Sequence, residues 1–266
     1  MRPRAPEASS TARRPPGRSG GELAHESVRE RPLPLWQSTR VLVVGADGCK
    51  RGWIAVALRD MGPEAHYLPT IEALQVLASE ADAVTIDIPI GLPTGGPREA
   101  DLLARKFVGA RRNSVFLTPV RDAIEARTHA RATQAAAGLT GTGISQQAYA
   151  LGRKMREVER WLPWSPCPVH EVHPEVPFAV LLGAPARASK KSWAGMVERR
   201  DALEAAGISL DGIGADSVAA VRASVDDIRD AAVAAWSAAR IARKTARSFP
   251  DPPPLDASGK RVTIWA

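Results

Sequence analysis

Cysteine is scarce in this chain, because only Cys49 and Cys167 occur among its 266 residues. Two cysteines cannot build a disulfide framework, and their spacing is not that of a zinc site. Long apolar runs are missing as well, since no stretch reaches the roughly 18 residues that a membrane-spanning helix requires. These absences argue against a disulfide-rich secreted domain and a membrane protein, and they favour a cytoplasmic protein.

Aromatic side chains are also few, with two tyrosines and four phenylalanines in the whole chain. We therefore expect no aromatic platform of the kind that stacks the bases of single-stranded nucleic acid. The net charge of +7 permits an anionic partner such as nucleic acid without requiring one. Most tryptophans are expected in the core or at domain junctions, namely Trp53, Trp161, Trp164, Trp193, Trp236 and Trp265.

Composition divides the chain into three segments. Residues 1–38 are rich in Arg, Pro, Gly, Ser and Glu, which predicts a disordered leader, with an overextended start site as the alternative. Residues 39–249 predict one globular domain with a helical insertion at about 96–165. Residues 250–266 are a C-terminal tail in which 261–265 could add an edge strand. The oligomeric state is not determined by the sequence.

The periodicity of apolar residues predicts an α/β fold. Three strands at 41–47, 53–58 and 65–68 form an antiparallel meander, and a helix after Thr70 leads to a further strand at 83–88. We expect a mixed sheet, with an antiparallel meander plus parallel strands, flanked by helices. The later elements are helices at 99–110, 120–137 and 145–161, a strand within 168–175, and helices at 192–206 and 226–247.

Two aspartates stand at the ends of predicted strands. Asp47 follows the first apolar run, and Asp87 follows the run that begins at residue 83. A carboxylate at the end of a buried strand loses hydration, and a cation, hydrogen bonds or a proton must compensate for that loss. Two such ends brought together predict a metal site.

The last long helix begins with further carboxylates. Asp227 borders the buried stripe of this helix, and Asp230 lies three residues on along the same flank, so both can reach a common point. The alternative is that Ser224 caps the helix and the acidic residues favour the helix dipole. The presence of Asp47 and Asp87 favours the metal-site interpretation, because capping does not predict acids at strand ends.

Short motifs occur in a fixed order between about residues 41 and 246: Gly45-Ala46-Asp47-Gly48, Gly52-Trp53, Asp87-Ile88-Pro89-Ile90-Gly91-Leu92-Pro93, Arg98 with Asp101, Ser114-Val115-Phe116, Ser145-Gln146-Gln147, Glu171-Val172-His173-Pro174-Glu175, Lys190-Lys191, and Asp226-Asp227 with Asp230. The ordered set resembles the DUF429 family of predicted ribonuclease H-like nucleases. Each motif is weak alone, and the order makes the resemblance specific. Two departures are Glu159, where an aspartate is expected, and Arg229, which stands between two of the acids.

The resemblance implies a ribonuclease H-like fold that carries a divalent-metal-dependent nuclease. The implied ligands of Mg²⁺ or Mn²⁺ are Asp47, Asp87, Asp227 and Asp230. Both ions prefer oxygen ligands, and two ions about 4 Å apart could activate a water and stabilise the leaving oxygen during phosphodiester cleavage. The implied partner is a nucleic acid of undetermined type.

Other titratable residues in these motifs are further candidates. Glu171 and Glu175 are expected as additional catalytic carboxylates, and His173 as a substrate contact. On a strand the three would share one face, although Pro174 is expected to end the strand before Glu175. The alternative for these three is a hydrogen-bond network at the strand end. Arg98 and Lys191 are expected to bind substrate phosphate, because both match family positions. Their alternatives are a local ion pair and solvated surface.

Two other functions stay open from the sequence. An actin-like or sugar-kinase-like phosphotransferase also places an aspartate after its first strand, although a convincing second phosphate loop is missing and the chain is short for two such domains. A non-catalytic module that binds nucleic acid or protein is the third hypothesis, because Arg229 could compete with a metal. Metal-dependent phosphodiester hydrolysis is the leading hypothesis.

Overall fold

The structure is a computed structural model, and it describes residues 41–60, 62–214, 217–256 and 259–266. The expected leader at 1–38 lies outside the described residues. Within the described ranges, no helix is both long enough and apolar enough to cross a membrane.

A five-stranded mixed sheet forms the centre of the described chain. Its strand order is β3-β2-β1-β4-β5, with β1 antiparallel to β2, β2 antiparallel to β3, and β4 parallel to both β1 and β5. A short antiparallel pair, β6 and β7, lies near the C-terminus. The strands are β1 Val43–Cys49, β2 Gly52–Arg59, β3 Gly62–Leu68, β4 Ala83–Ile86, β5 Val169–Glu171, β6 Ser248–Phe249 and β7 Ile264–Trp265.

Among the described residues, one α-helix lies between β3 and β4, four lie between β4 and β5, and four follow β5. The expected α/β class and its mixed sheet are confirmed, and the arrangement is consistent with the ribonuclease H-like fold. The α-helices are α1 Gln75–Ala78, α2 Glu99–Phe107, α3 Arg121–Glu125, α4 His129–Thr140, α5 Gln146–Trp161, α6 Glu175–Leu182, α7 Trp193–Ala205, α8 Val218–Arg222 and α9 Val225–Ala242. Short 3₁₀ segments span Ile71–Leu74, Gly109–Ser114 and Leu162–Trp164.

Both faces of the sheet are covered, and alternate residues of each strand bury on opposite faces. Val43 and Val56 belong to the cluster that includes the apolar side of α9. Val44 and Ala55 belong to a second cluster, which includes Met155 of α5. This alternation fixes which face each strand residue contacts, and it places the strand ends between two helical layers.

Helix α9 lies unusually close to the sheet because small residues face each other. A Cβ atom on Gly45 would lie 2.0 Å from the backbone nitrogen of Ala235, so only glycine fits at this strand position. The hydroxyl of Thr85 donates to the carbonyl oxygen of Ala234 at 2.7 Å. The alanine-rich sequence of α9 therefore fixes the helix at short range against β1 and β4.

Three local expectations differ from the structure. The helix expected at 120–137 is two helices, because the chain is extended at Ala126 and Thr128 starts α4 as its N-cap. The strand expected within 168–175 is shorter than expected because it ends at Glu171, so His173 lies outside it, while Glu175 begins α6 after Pro174, which was expected to end the strand. Trp164 and Trp193 are exposed rather than core residues, at 76% and 74%.

Candidate metal centre

The parallel pairing of β1 and β4 brings Asp47 and Asp87 together. Ala46 is paired with Ile86, and each aspartate is the next residue along its strand direction. The backbone N–H of Asp87 donates to the carbonyl oxygen of Ala46 at 2.9 Å, which continues the alignment by one residue. The two carboxylates therefore lie side by side where the pairing of β1 with β4 ends, although β1 itself continues to Cys49 in its pairing with β2.

The third carboxylate comes from α9. Carboxylate oxygens of Asp47, Asp87 and Asp230 all lie within 4.8 Å of one another. Asp230 is only 2% exposed and Asp47 only 9%. Because α9 packs closely on β1, the second turn of the helix reaches the strand ends, and three acids meet in a partly buried space.

Burial and mutual repulsion raise the pKa values of these acids. Burial, followed by the charges of Asp87, Asp230 and Asp227, raises the pKa of Asp47 well above its usual range. Burial and the charge of Asp230 raise the pKa of Asp87 to about 8. Burial also raises the pKa of Asp230 to about 6, although Lys190 opposes that shift. Three ionised carboxylates at this spacing are unfavourable without added positive charge.

Lys190 is the cation that the chain places beside the acids. Its Nζ atom lies 2.5 Å from Oδ2 of Asp230. Asp230, Asp87 and Asp47 all raise the pKa of the Lys190 ammonium, although burial opposes the shift. When all three carboxylates are ionised, one ammonium group offsets only part of their negative charge, so the centre can accept further positive charge.

The described residues fit a divalent cation. Across the part of the chain that the structure describes, no side chain donates a hydrogen bond to the carboxylate of Asp47 or Asp87. These oxygens are therefore free to act as ligands. Closely spaced carboxylate oxygens are the donors that hard divalent cations such as Mg²⁺ and Mn²⁺ prefer.

Asp227 lies outside the triad formed by Asp47, Asp87 and Asp230, and it has a second role as part of a helix cap. Its Oδ2 accepts from the backbone N–H of Ser224 at 2.8 Å, and its own N–H donates to the Ser224 hydroxyl at 3.2 Å. This reciprocal pair is a capping box at the start of α9. Asp227 also lines the cavity that holds the triad. The capping interpretation is therefore confirmed, while its role as a metal ligand stays a prediction.

The triad lines a cavity of about 380 Å³, which we call the acidic cavity. Glu175, His173 and Lys191 line it together with the triad, Asp227 and Lys190. Arg111 adds a further cation to the lining. The acidic cavity is thus lined by seven of the residues predicted for the site, namely Asp47, Asp87, Asp230, Asp227, Glu175, His173 and Lys191. The cations Lys190 and Arg111 line it beside the acids.

Glu175 and His173 reach this cavity by different routes. Both carboxylate oxygens of Glu175 accept from Nη2 of Arg199, at 2.7 and 2.9 Å, so Glu175 is held by a buried ion pair. Burial and the nearby charge of Lys190 lower the pKa of His173 to about 4, and its Nδ1 atom is buried without a hydrogen-bond partner. His173 is therefore a neutral imidazole at pH 7.

Glu171 and Arg98 lie behind the acidic cavity rather than in its lining. Nη1 and Nη2 of Arg98 donate to the Glu171 carboxylate, at 2.8 and 2.6 Å, and Nη2 also donates to Asp101 at 2.6 Å. Glu171 also accepts from the backbone N–H of Ile90 at 2.7 Å, and Asp101 accepts from that of Thr118. This buried network ties the loop after Asp87 to β5 and α2.

The two departures from the family pattern lie outside the acidic cavity. Glu159 forms an ion pair with Arg121 at 2.7 Å on the helical insertion. Arg229 lies 3.8 Å from Asp226, and it is not among the residues that line the cavity. Its guanidinium therefore does not take the place of a cation between the carboxylates.

Sequence reasoning missed two partners of the site. Lys190, rather than Lys191, contacts the triad. The sequence indicated a lysine here only through the pair Lys190-Lys191, and spacing alone does not say which of the two faces the acids. Arg199 is 1% exposed and pairs with Glu175 across 24 residues of sequence, a contact that no local pattern indicates. Both contacts depend on how α7 packs beside α6 and α9.

Without a bound cation, the protein is expected to lose stability as pH rises from about 4 to about 8, by on the order of 1–3 kcal/mol. Below about pH 4 the acids are protonated in both the folded and the unfolded state. As pH rises, the unfolded chain releases these protons first, and the folded protein follows near 6 for Asp230 and near 8 for Asp87. Thermal unfolding with a chelator present measures the effect.

The variant Asp87→Asn isolates the contribution of the triad to this pH dependence. It is expected to flatten the decline relative to the wild type, because one of the repelling groups is removed. Adding Mn²⁺ at about pH 8 is expected to raise the melting temperature of the wild type more than that of the variant. Equal pH profiles for the two proteins would contradict the prediction.

A family model with the description "Protein of unknown function (DUF429)" matches residues 45–255, which is more than half of the chain. The matched region contains all of the triad and the whole lining of the acidic cavity. Neither the curated proteins nor the solved structures contain a match to the chain.

Proposed function

Because the chain belongs to the DUF429 family, whose description assigns no reaction, we propose a function from the site itself: divalent-metal-dependent hydrolysis of phosphodiesters, of nuclease type. The observation that carries the proposal is the meeting of Asp47, Asp87 and Asp230 within 4.8 Å. Two of these carboxylates have no hydrogen-bond partner among the described side chains, which leaves them free as ligands.

The same three aspartates would hold Mg²⁺ or Mn²⁺, with Asp227 at the edge of the set. When bound, such a cation stabilises negative charge on phosphoryl oxygens and lowers the pKa of water. Cleavage of a phosphodiester forms a bond between a water oxygen and phosphorus and breaks the bond from phosphorus to the leaving alcohol oxygen. The proton from water ends on the leaving oxygen, so the products are a phosphate monoester and an alcohol.

Positively charged side chains of the protein bind the phosphate group of the substrate in this proposal. Lys191 is exposed and lines the acidic cavity, and Arg111 lines it from the helical insertion. Both can contact phosphate oxygens, which is the usual role of such side chains at nucleic-acid backbones. The neutral imidazole of His173 can hydrogen-bond the substrate without adding charge. Arg98 is placed to hold Glu171 and the loop after Asp87, and we propose a positioning role for it.

Nothing in the described chain favours the phosphotransferase alternative. Actin-like and sugar-kinase-like proteins hold a nucleotide between two similar domains, whereas residues 41–266, in the part that the structure describes, contain one five-stranded sheet and one two-stranded pair. Metal-dependent hydrolysis therefore stays the leading function.

The function is tested with purified protein that has been stripped of metal. We expect Mn²⁺ to bind with micromolar to millimolar affinity, and we expect phosphodiester cleavage only when Mn²⁺ or Mg²⁺ is added. Substrates should include single-stranded and duplex DNA, RNA, an RNA–DNA hybrid and a small chromogenic phosphodiester. An absence of both Mn²⁺ binding and cleavage of every substrate would refute the proposal.

A further inference from the structure

A second cavity adjoins the acidic cavity, and the proposed hydrolysis does not use it. Its volume is about 540 Å³, which is within the range of small-molecule sites. Four residues line both cavities, namely Asn113, Phe116, Ser145 and Ala148. The two spaces therefore border each other, and a molecule held at the carboxylates can extend into the second one.

The second cavity differs from the first in charge, and we call it the neutral cavity. Val115, Leu117 and Ile144 contribute apolar surface to it. The described residues of its lining include no carboxylate. The guanidinium of Arg105 donates to the carbonyl oxygen of Val115 at 3.2 Å, so this cation is partly engaged by the wall itself. Among the described residues of the lining, Arg105 has the only charged side chain and the others are apolar or uncharged, so most of this surface suits an uncharged group.

Asn113 stands at the junction of the two cavities with its polar group available. Its side chain is exposed, and it makes no hydrogen bond to another described residue. By contrast, the Thr118 hydroxyl donates to Asp101, and the Thr140 hydroxyl donates to the carbonyl oxygen of Ala136. A primary amide can both donate and accept, so Asn113 can contact the polar edge of a ring.

The two cavities have different origins in the chain. Every residue that lines the neutral cavity falls between Gly96 and Ala148, inside the segment expected as a helical insertion. The three carboxylates come instead from β1, β4 and α9 of the central unit. The insertion thus supplies a surface for recognition beside a centre that the sheet and α9 build.

Resting on the proposed function, we infer that the neutral cavity binds the uncharged, ring-bearing group of a small phosphodiester whose phosphate lies at the metal centre. The substrate class is then a low-molecular-weight phosphoester rather than the interior of a long duplex. Contact of the ring with Phe116 and the apolar wall stabilises binding by removing apolar surface from water. Phosphate binding at the metal centre and ring binding in the neutral cavity contribute separately to the affinity for the substrate.

Binding of two anions to Mn²⁺-loaded protein tests the inference without requiring turnover. Calorimetry should show p-nitrophenyl phosphate binding about tenfold more tightly than inorganic phosphate, because only the former carries a ring. This probe is a monoester, so it carries the ring and the phosphate without the diester bond that the proposed hydrolysis would cleave. Leu117→Trp should fill the neutral cavity and abolish that difference while leaving phosphate binding unchanged. Leu117 is 41% exposed, so the larger side chain is compatible with folding.

The matched control is Leu139→Trp, at a residue that is 44% exposed and outside the lining of the neutral cavity. This variant should keep the tenfold preference. Leu117→Ala should reduce the preference for p-nitrophenyl phosphate several-fold, because it removes apolar contact without filling the neutral cavity. Agreement between this variant and Leu117→Trp guards against an effect that comes only from misfolding. Equal affinity of the wild type for the two anions, or an unchanged preference in Leu117→Trp, would overturn the inference alone. Failure of both anions to bind the Mn²⁺-loaded protein would also overturn the inference, whereas absence of Mn²⁺ binding together with absence of cleavage of every phosphodiester would remove the proposed function.

Discussion

Replacing Asp47 by asparagine is expected to lower kcat/KM for metal-dependent phosphodiester cleavage about 1,000-fold, or about 4 kcal/mol of transition-state stabilisation. Asparagine keeps the size of the side chain, but it removes one of the three negative charges that meet within 4.8 Å. Affinity for Mn²⁺ should fall at the same time. Initial rates at several Mn²⁺ concentrations, together with calorimetric Mn²⁺ binding, measure both losses.

The same substitution is expected to stabilise the metal-free protein. Asp87, Asp230 and Asp227 all repel the Asp47 carboxylate, and burial adds to the cost of its charge. Removing that charge should raise the melting temperature by a few degrees at about pH 8. A loss of activity combined with a gain in stability is characteristic of a residue that is retained for function, and a variant that merely unfolds cannot produce it.

Two neighbouring acids serve as controls for Asp47→Asn. Asp226 is in the first turn of α9 but does not line the acidic cavity, so Asp226→Asn should retain nearly full activity. Asp227→Asn keeps an oxygen that can accept from Ser224, and it should therefore lose activity, about tenfold, without losing the helix cap. Wild-type rates and metal affinity in Asp47→Asn would refute the assignment of the metal centre.

Replacing Arg98 by methionine is expected to destabilise the protein by about 3–5 kcal/mol. Arg98 is 6% exposed and pairs with Glu171 and Asp101, which are 4% and 1% exposed. Methionine would leave both carboxylates buried without their cation. Burial already raises the pKa of Glu171 despite the opposing charge of Arg98, so the unpaired acid would carry a larger penalty. Denaturant unfolding measures the difference.

The Arg98 series also separates a positioning role from the substrate-binding role expected from the sequence. The double variant Arg98→Met with Glu171→Gln should recover part of the lost stability, because it removes one of the stranded charges. Arg98→Lys should restore little, since an ammonium cannot match the two-pronged contact with Glu171. A raised KM with unchanged unfolding in Arg98→Met would instead support direct contact with substrate.

The acids were accessible from the sequence because strand ends and helix periodicity are local properties. Asp47 and Asp87 each follow a short apolar run, and Asp230 lies on the buried side of an amphipathic helix. Parallel pairing of β1 with β4 then brings Asp47 and Asp87 together as a geometric consequence of the fold class. The role of Asp227 was less accessible, because one carboxylate can cap a helix and line a cavity at the same time.

Ion pairs across long sequence distances were not accessible from the sequence. Arg98 pairs with Glu171 across 73 residues, and Arg199 pairs with Glu175 across 24. Any of the 36 basic residues is chemically suited to such a contact, so the choice depends on which helices pack together. The expectation that the strand ends before Glu175 agrees with the structure, but β5 already ends at Glu171, so His173 does not share a strand face with Glu171.

By itself, the sequence determined the α/β class, the order of the main elements and a set of four candidate acids that includes the triad, because these follow from hydrophobic period and from the chemistry of buried carboxylates. Only the tertiary structure decided that Lys190 contacts the triad, that Arg98 lies behind it, and that a neutral cavity borders the acidic one. The physical reason is that side-chain partners and cavities depend on the packing of distant segments, whereas period and residue chemistry are already present along the chain.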